Sequence, residues 1–457
     1  MQTGLCKNKH VTVMGLGSFG GGAGAARFLS EQGAHVTVTD TKNEAALGES
    51  MRLLDGLGIR FVLGRHEMSD FIGVDMVVVN PAVPKNSEYI ATARATGATL
   101  TTEIGLFAGL CPAPVCGITG SNGKTTTVSM VRSILEESGQ QFWIGGNIGG
   151  SLLNDLNRIT PDDHIVLELS SFQLEWLDEM SWSPHIAAIL NIMPNHLDRH
   201  GTYEAYRTAK ASILTHQSPG DTAILVKNDS GSASMAQYVK GKTVWVGTDI
   251  TGDGVTFKDE WITEHRGDHT YKILDSRSLL VPGKHNILNA MAAASCSIEF
   301  GIGYDCIKSG LERFRGIPHR LEFVGEHNGV LFYNDSKATT PEATIAAVTS
   351  FDRPVIPILG GYDKGVSFRE MTDHMAGFVS RAALIGTTAP VISHELERVG
   401  IESEIYPSFE EAFTACVKLA QHGDIVILTP GCASYDMFAN YEERGEIFKK
   451  LVRELSE

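Results

Sequence analysis

Short apolar runs separated by helix-like stretches recur along almost all of this 457-residue chain. Many of these runs have the length and composition of buried strands. Strands that alternate with helices favour βαβ units and mostly parallel sheets, so the pattern predicts an α/β fold. The strand candidates are residues 11–14, 35–40, 76–80, 114–117, 165–169, 186–191, 222–226, 354–359, 382–385 and 425–429.

Breaks in this rhythm divide the chain. A length of 457 residues corresponds to about three domains of typical size. We predict a Rossmann-like domain over 1–102, a central phosphate-loop ATPase-type domain over 103–316, and a Rossmann-like domain over 317–457. The central domain carries a β-rich addition at 245–280, interpreted as a small extra sheet. The third begins with a hairpin whose turn contains Asn328-Gly329.

Charge and composition exclude several classes of protein. Lys plus Arg number 38 against 54 Asp plus Glu, a net charge of −16, which argues against nucleic acid or an anionic membrane as partner. We find no signal-peptide pattern and no apolar run long enough to span a membrane. The seven cysteines include no Cys-x-x-Cys pair, so we expect reduced thiols and a cytoplasmic protein.

The first glycine-rich loop, residues 15–20, reads Gly-Leu-Gly-Ser-Phe-Gly and follows a predicted strand. This is the dinucleotide-binding fingerprint, in which glycines let backbone amides approach a pyrophosphate at a helix N-terminus. An oxidoreductase using NAD is one hypothesis. Any nucleoside diphosphate also fits, with Asp40, Thr41 or Lys42 near the sugar or base, and a tight turn without a ligand stays open.

The second loop, residues 119–127, reads Thr-Gly-Ser-Asn-Gly-Lys-Thr-Thr-Thr. Gly-Lys-Thr between a strand and a helix indicates a phosphate loop, with Lys124 at the β/γ-phosphates and Thr125 able to reach Mg²⁺. Ile118 stands where the usual pattern has its first glycine. Two nucleotide loops favour an enzyme that activates a nucleotide-bearing substrate with ATP.

This form of the phosphate loop resembles that of the Mur ligase family, ATP-dependent amide-forming enzymes of peptidoglycan precursor synthesis. The resemblance covers essentially the whole chain. It is closest to the branch that adds D-glutamate to UDP-N-acetylmuramoyl-L-alanine, through an acyl phosphate and a tetrahedral intermediate. The segments that carry it, besides 119–127, are 145–149, 168–175, 334–339, 360–365 and 433–438.

The resemblance implies ATP, two Mg²⁺ ions and a catalytic set formed by Lys124, Glu168, His196 and Lys210. Thr125, Glu168, His196 and Lys210 are the implied metal ligands, with Lys210 carbamylated by CO₂. From the residues alone, a carboxylate after a buried strand suits a hard cation, whereas Lys210 reads as a solvated helix-face lysine and His196 as structural. The family usually has Asp before this histidine, where this chain has Asn195.

The remaining implied residues fall into three groups. ATP is expected at Gly120, Ser121, Asn122, Gly123, Lys124, Thr125, Thr126, Asn286, Asn289, Arg320 and Asp335. The UDP substrate is expected at Gly17, Ser18, Phe19, Asp40, Thr41, Lys42, Asn80, Asn147, Ser170, Gln173 and His196. Glutamate is expected at Lys337, Thr339, Lys364, Ser434 and Tyr441.

Other functions stay open at this point. A sister ligase for another amino acid, or an enzyme similar to folylpolyglutamate synthase, shares the phosphate loop and the general chemistry. A nucleotide-sensing protein would bind ATP without turnover that an amino acid stimulates. We expect a monomer whose partners are the small-molecule substrates.

Overall fold

A computed structural model describes residues 6–17, 20–250, 252–363 and 365–455. The described chain contains three sheets with helices between their strands, which confirms the predicted α/β fold. It forms two compact units. The first comprises the chain up to Leu274 together with Leu288–Gly310, and the second comprises Asp275–Ile287 and the chain from Leu311 onward.

The first part of the first unit is a five-stranded parallel sheet in the order β3-β2-β1-β4-β5. This order is that of the first five strands of a Rossmann fold. Its elements are β1 His10–Met14, α1 Gly21–Glu31, β2 His35–Asp40, α2 Glu44–Arg52, β3 Arg60–Leu63, β4 Met76–Val79, α3 Glu88–Ala95, β5 Thr99–Thr101 and α4 Glu103–Leu110.

The rest of the first unit is built on a nine-stranded sheet in the order β14-β13-β12-β11-β10-β9-β6-β8-β7. Its strands are β6 Val115–Thr119, β7 Phe142–Gly146, β8 His164–Glu168, β9 Ile186–Ile189, β10 Thr222–Val226, β11 Lys242–Gly247, β12 Gly254–Lys258, β13 Trp261–Arg266 and β14 His269–Asp275. Its helices are α5 Lys124–Ser138, α6 Ser171–Glu179, α7 Leu197–His200, α8 Tyr203–Thr215 and α9 Ser230–Ala233. The helices α10 Lys284–Glu299 and α11 Tyr304–Arg313 are shared between the two units, since α10 begins and α11 ends in the second.

Strands β12–β14 are the β-rich addition that the sequence predicts. They continue the edge of the central sheet rather than forming a sheet of their own, because β12 pairs in parallel with β11 and antiparallel with β13. In this sheet, β6 lies between β8 and β9. The loops that follow these three parallel strands therefore meet at one edge.

The second unit contains a six-stranded sheet in the order β15-β16-β20-β17-β18-β19. Its strands are β15 Glu322–His327, β16 Val330–Asn334, β17 Val355–Gly360, β18 Arg381–Ile385, β19 Glu402–Ile405 and β20 Ile425–Leu428. Its helices are α12 Pro341–Val348, α13 Arg369–Met375, α14 Ala389–Arg398, α15 Phe409–Leu419 and α16 Tyr441–Glu454.

The predicted hairpin is confirmed, since β15 pairs antiparallel with β16. Asn328 and Gly329 at its turn have φ angles of 51° and 76°, the left-handed values that a tight hairpin turn requires. Successive residues of β20 belong to two different apolar clusters. Ile425 and Ile427 pack in one cluster, and Val426 and Leu428 pack in the other. Both faces of this sheet are therefore covered.

In the part of the chain that the structure describes, no helix combines the length and the apolar character needed to cross a membrane.

Candidate active site

The loop after β6 has the geometry of a phosphate-binding loop. It leads into α5, whose first residue is Lys124. Gly123 has a φ angle of 84°, and a Cβ atom there would lie 2.4 Å from Oδ1 of Asn289. Both the backbone conformation and the close approach require glycine. The helix N-terminus that follows favours an anion.

Lys124 lies over this loop. Its Nζ donates hydrogen bonds to the carbonyl oxygens of Gly120 at 2.8 Å and Ser121 at 3.2 Å. Thr125 and Thr126 follow in the first turn of α5. The ammonium group is therefore close to the backbone that would surround a phosphate.

Two residues that brace the loop were missed by the sequence analysis. Asn191 accepts a hydrogen bond from the amide of Asn122 at 2.8 Å and donates one to its carbonyl at 3.1 Å. The hydroxyls of Ser121 and Tyr206 lie 2.9 Å apart. Asn191 lies two residues past the end of the strand β9, and a polar residue in that position is a usable signal for a loop contact.

Glu168 ends β8, and only 2% of its surface is exposed. Its Oε2 accepts a hydrogen bond of 2.7 Å from Oγ1 of Thr125, and its Oε1 accepts one of 2.9 Å from Nδ2 of Asn147. Thr125 and Glu168, which the resemblance assigns to one metal site, are therefore in contact. The result is a cluster of hard oxygen atoms beside the phosphate loop.

Lys210, in α8, is 1% exposed and is not the solvated lysine that the helical pattern favours. Its Nζ donates to Oγ1 of Thr119 at 3.1 Å and to the carbonyl of Gly120 at 3.0 Å. Burial, with repulsion from Lys124, lowers the pKa of Lys210 to about 7, against the opposing attraction of Glu168. A large fraction of this amine is therefore neutral, and nucleophilic, at physiological pH.

His196 lies at the solvent-exposed start of α7 with a φ angle of 50°. Its ring packs 5.2 Å from that of Phe172, and its amide donates to Oδ1 of Asn195 at 2.9 Å. His200, at the other end of this short helix, was missed by the sequence analysis. Its Nε2 is 3.0 Å from Oγ of Ser171, and burial lowers its pKa.

The described residues contain no group of three or more His, Cys, Asp or Glu side chains arranged to hold a metal ion. The candidate metal site instead combines one carboxylate, Glu168, with the hydroxyl of Thr125. These are oxygen atoms, which suit Mg²⁺ rather than a softer metal.

A cavity of about 620 Å³ opens beside this cluster within the first unit. The first glycine loop forms one side of it, and the loop after β7 together with the start of α6 forms another. The predicted UDP-site residues that line it are Gly17, Asn80, Asn147, Ser170 and Gln173. Ser18 and Phe19, predicted for the same site, lie outside the described residues.

Asp40 is buried and fixes the first glycine loop. Its carboxylate accepts hydrogen bonds from the amides of Gly17 at 3.1 Å and Lys42 at 2.8 Å. Thr41 and Lys42 are exposed at the end of β2. The loop conformation is therefore held by the same acidic residue that the fingerprint places near a ribose.

Ser170 and Gln173 are fixed by a reciprocal capping box at the start of α6. Glu103, which also lines the cavity, was missed by the sequence analysis. It accepts a 2.6 Å hydrogen bond from Ser151, and burial raises its pKa to about 7. The cavity wall thus contains a carboxyl group that is partly neutral at physiological pH.

Asn286 and Asn289 lie near the start of α10, and each is 5% exposed. Asn286 belongs to the second unit and Asn289 to the first. Nδ2 of Asn286 donates to the carbonyl of Pro282 at 2.6 Å, whereas Oδ1 of Asn289 accepts from Thr127 of α5 at 3.4 Å. Asn289 is thereby packed against the phosphate-loop helix.

Asp335 follows β16 in the second unit and is 5% exposed. It accepts hydrogen bonds from the amide of Leu321 at 3.0 Å and Oγ1 of Thr429 at 3.1 Å. Burial raises its pKa to about 7, although the exposed Arg320 opposes this shift. Arg320 and Asp335, both predicted to contact ATP, thus interact electrostatically.

The residues predicted for glutamate follow the parallel strands of the second unit. Nζ of the exposed Lys337 lies 5.6 Å from the ring centre of Tyr441. Ser434 is buried, and Thr339 is partly exposed just before α12. Lys364 lies outside the described residues. Because β20 lies between β16 and β17, the loops after these strands meet where the strand order reverses, a common ligand position.

Arg444, missed by the sequence analysis, joins two of these loops. It is fully buried and donates to the hydroxyl of Ser336 at 3.0 Å and its carbonyl at 2.9 Å, and to the carbonyl of Cys432 at 3.2 Å. Burial lowers its pKa to about 10, so it stays protonated at physiological pH. Its position in a helical pattern gave no sign of this role.

Models of known protein families match most of the chain. Residues 9–102 match the MurD-like N-terminal domain of Mur ligases, residues 118–297 the Mur ligase middle domain, and residues 319–432 the glutamate ligase domain of Mur ligases. A UDP-N-acetylmuramoylalanine–D-glutamate ligase from Roseiflexus sp. (strain RS-1) is 42% identical over 97% of this chain and 98% of its own length. The protein of the same name from Thermoanaerobacter sp. (strain X514) is 38% identical over 98% of this chain and 99% of its own length.

Solved structures share the fold at lower identity. MurF from Acinetobacter baumannii is 20% identical, with a TM-score of 0.58 over 92% of this chain and 90% of that one. UDP-N-acetylmuramate–alanine ligase MurC from Thermotoga maritima is 17% identical, with a TM-score of 0.56 over 98% and 100%. With its phosphate loop, its buried Glu168 and near-complete coverage by relatives of such identity, this chain belongs to the Mur ligase family.

Proposed function

We propose that the protein is an ATP-dependent ligase that joins D-glutamate to UDP-N-acetylmuramoyl-L-alanine in the synthesis of peptidoglycan precursors. One observation carries this proposal. A hydrogen-bonded chain runs from Thr125 of the phosphate loop through Glu168 to Asn147, and Asn147 lines the large cavity. A phosphate site and a cavity for a second reactant therefore adjoin, as phosphoryl transfer between ATP and that reactant requires.

Each part of the chain has its own role in this proposal. Residues 1–102 bind the UDP group, 103–316 bind ATP, and 317–457 bind glutamate. The cavity volume of about 620 Å³ supports the first assignment, since it is in the range of small-molecule sites. The protein acts as a monomer in the cytoplasm, where ATP and UDP-linked sugars are available.

Mg²⁺ fits the oxygen atoms of Thr125 and Glu168, and we assign one ion to them. A second ion is assigned to His196 and to Lys210 in its carbamate form. When bound, Mg²⁺ would offset the negative charge on phosphate and carboxylate oxygens. The low pKa of Lys210, about 7, supports the carbamate because only a neutral amine reacts with CO₂.

In the reaction, the alanine carboxylate attacks the γ-phosphorus of ATP, and ADP leaves. The amine of D-glutamate then attacks the acyl phosphate, and the tetrahedral intermediate collapses to the amide and inorganic phosphate. Lys124 and the amides of the phosphate loop offset the repulsion between these anions. The protein must also exclude water, because water would hydrolyse the acyl phosphate.

In the second unit, Lys337, Lys364, Thr339, Ser434 and Tyr441 bind the two carboxylates of glutamate. Lys337 and Lys364 contribute charge, and the hydroxyls of the other three contribute hydrogen bonds. Arg320 and Asp335 contact ATP, as do Asn286 and Asn289. Support for the glutamate assignment comes from the position of these residues beyond the carboxyl ends of parallel strands.

The test is phosphate release by the purified protein with ATP, Mg²⁺, UDP-N-acetylmuramoyl-L-alanine and a panel of amino acids that includes both enantiomers of glutamate. We expect release only with D-glutamate, with one amide formed per phosphate. Release that is independent of the amino acid, or greater with L-alanine or a diamino acid, would contradict the assignment.

A further inference from the structure

Arg199 contacts three consecutive carbonyl groups in a neighbouring loop. Its guanidinium donates to the carbonyl oxygens of Pro81 at 3.3 Å, Ala82 at 3.1 Å and Val83 at 2.8 Å. The same group lies 5.3 Å from the ring centre of Phe172. Arg199 is in α7 and the carbonyls follow β4. This side chain therefore joins the five-stranded sheet to the part of the first unit that is built on the nine-stranded sheet.

The groups that Arg199 holds form a wall of the large cavity. Pro81, Ala82 and Phe172 all line it, as does Asn80, which precedes the three carbonyls. Asn80 is itself tied to this loop, since its Oδ1 accepts a 3.0 Å hydrogen bond from the amide of Ala82. Arg199, which does not itself line the cavity, therefore holds this wall in place.

The other contacts of α7 fix its position against α6. The His200 side chain is 1% exposed, lies between Ser171 and Glu175, and stacks on Phe172 at 5.4 Å. The ring of His196 packs on the same Phe172 at 5.2 Å. A helix of four residues has little stability of its own, so these contacts decide where His196 lies.

Arginine suits this position better than lysine. Its planar guanidinium presents several N–H donors in fixed directions and can also lie over an aromatic ring, whereas an ammonium group is a compact point charge. Three carbonyls and one ring use both properties.

We propose that Arg199 is a positioning residue for the UDP-linked substrate. It holds the loop at Asn80–Val83 in the shape that the substrate requires, and through Phe172 it couples that loop to the position of His196. This inference rests on the proposed function, because it concerns how the same cavity receives its substrate.

Steady-state kinetics of Arg199→Met and Arg199→Lys test this proposal. We expect Arg199→Met to raise the KM for UDP-N-acetylmuramoyl-L-alanine about tenfold or more, with the KM values for ATP and D-glutamate within about twofold of the wild type. Arg199→Lys should restore part of the loss, because lysine keeps the charge but contacts fewer carbonyls.

Arg158→Met is the matched control. Arg158 also forms one charged hydrogen bond, to Asp155 at 2.9 Å, and lies 5.0 Å from the ring centre of Trp143, but it does not line or support the cavity. Its removal should leave all three KM values unchanged. Thermal unfolding of each variant, and direct binding of the UDP substrate to Arg199→Met and Arg199→Lys, separate a local effect from general destabilisation.

The proposal is overturned if Arg199→Met and Arg199→Lys bind the UDP substrate as the wild type does, or if all three KM values and kcat change together with the melting temperature. A wild-type protein without turnover that depends on D-glutamate would instead contradict the proposed function. The two failures are thus distinguishable in one set of experiments.

Discussion

Oγ1 of Thr125 donates a 2.7 Å hydrogen bond to Oε2 of Glu168, which joins the first turn of α5 to the end of β8. The carboxylate belongs to a residue that is 2% exposed, and its other oxygen accepts from Asn147. A buried carboxylate whose hydrogen-bond partners are neutral is costly to keep charged, and the attraction between Glu168 and Lys210 offsets only part of that cost. A cation in this place would remove that cost.

Glu168→Gln should therefore lower the activity of the protein without lowering its stability to unfolding. Glutamine keeps the size of the side chain and one acceptor oxygen but loses the charge, so we expect unfolding stability to be unchanged or higher. We expect kcat to fall by about a hundredfold or more, since the proposed Mg²⁺ would lose its anionic ligand. Circular dichroism melts and magnesium-dependent turnover measure the two quantities.

Glu179→Gln is the control for this experiment. Glu179 forms exposed ion pairs with Lys85 at 2.6 Å and Arg94 at 2.9 Å, and surface pairs contribute little to stability. This variant should have wild-type activity. A Glu168→Gln protein with the wild-type dependence on magnesium would refute the metal assignment.

Much of the architecture followed from periodicity. Apolar runs such as residues 165–167 of β8 and Ile425–Leu428 of β20 are buried on both faces of a sheet, and their composition alone marks them as strands. The edge strand β19, Glu402–Ile405, has a largely polar sequence that carries no such signal. Its pairing with β18 is decided by tertiary context.

The site could be predicted only in part. The glycine loops specify their own backbone, so Gly123 and Lys124 were identifiable from local sequence. The burial of Lys210 and the carbonyl contacts of Arg199 depend on segments about 90 and 117 residues distant in the chain. No local pattern contains that information, and for Lys210 the helical pattern favoured a solvated side chain.

Two glycines at the ends of α5 allow a direct test of the loop geometry. Gly123 and Gly139 both have left-handed φ angles, 84° and 67°, but an added Cβ at Gly139 meets nothing within 4 Å. Gly139→Ala should cost only the backbone strain, about 1 kcal/mol. Gly123→Ala should destabilise the protein further and abolish ATP binding, because its Cβ would displace Asn289.

Urea unfolding and titration with a fluorescent ATP analogue measure these effects. Equal losses of stability in the two alanine variants, with ATP binding intact in both, would show that the contact between Gly123 and Asn289 has no role in the loop.

Asp335 should make stability depend on pH. Its pKa is raised from 3.8 in the unfolded chain to about 7 in the folded protein, so the folded state binds the proton more tightly. Unfolding free energy therefore falls as pH rises from about 4 to 7 and stays lower above that range. The cost at pH 8 is on the order of 4 kcal/mol at most.

Asp335→Asn removes this ionisation. Its Oδ1 can still accept from the amide of Leu321, and its Nδ2 can donate to Thr429, so the local structure should persist. We expect the variant to be more stable than the wild type at pH 8, with the difference decreasing toward pH 4, and to have a higher KM for ATP. A difference in stability that is independent of pH would contradict this explanation.

Asn195 offers a test of the position before His196. Its Oδ1 accepts a hydrogen bond from the amide of His196 at 2.9 Å, and an aspartate could accept the same bond. Asn195→Asp adds one negative charge beside the proposed second metal site, so the magnesium concentration for half-maximal activity should fall. An unchanged or higher concentration would exclude an electrostatic role for residue 195.

Lys210 provides the sharpest chemical prediction. An amine with a pKa of about 7, buried against Thr119 and Gly120, is poised to react with CO₂ in its neutral form. Lys210→Ala should abolish turnover, and short carboxylic acids such as acetate should restore part of it by replacing the carbamate oxygens. Lys240→Ala, which removes a lysine whose Nζ donates an exposed hydrogen bond to the carbonyl of Thr215, is the control and should be fully active. Turnover of wild-type protein should also fall in CO₂-depleted buffer and recover with bicarbonate.

If Lys210→Ala is active without added acid, Lys210 has no carbamate role, and its burial serves the packing of α8 alone.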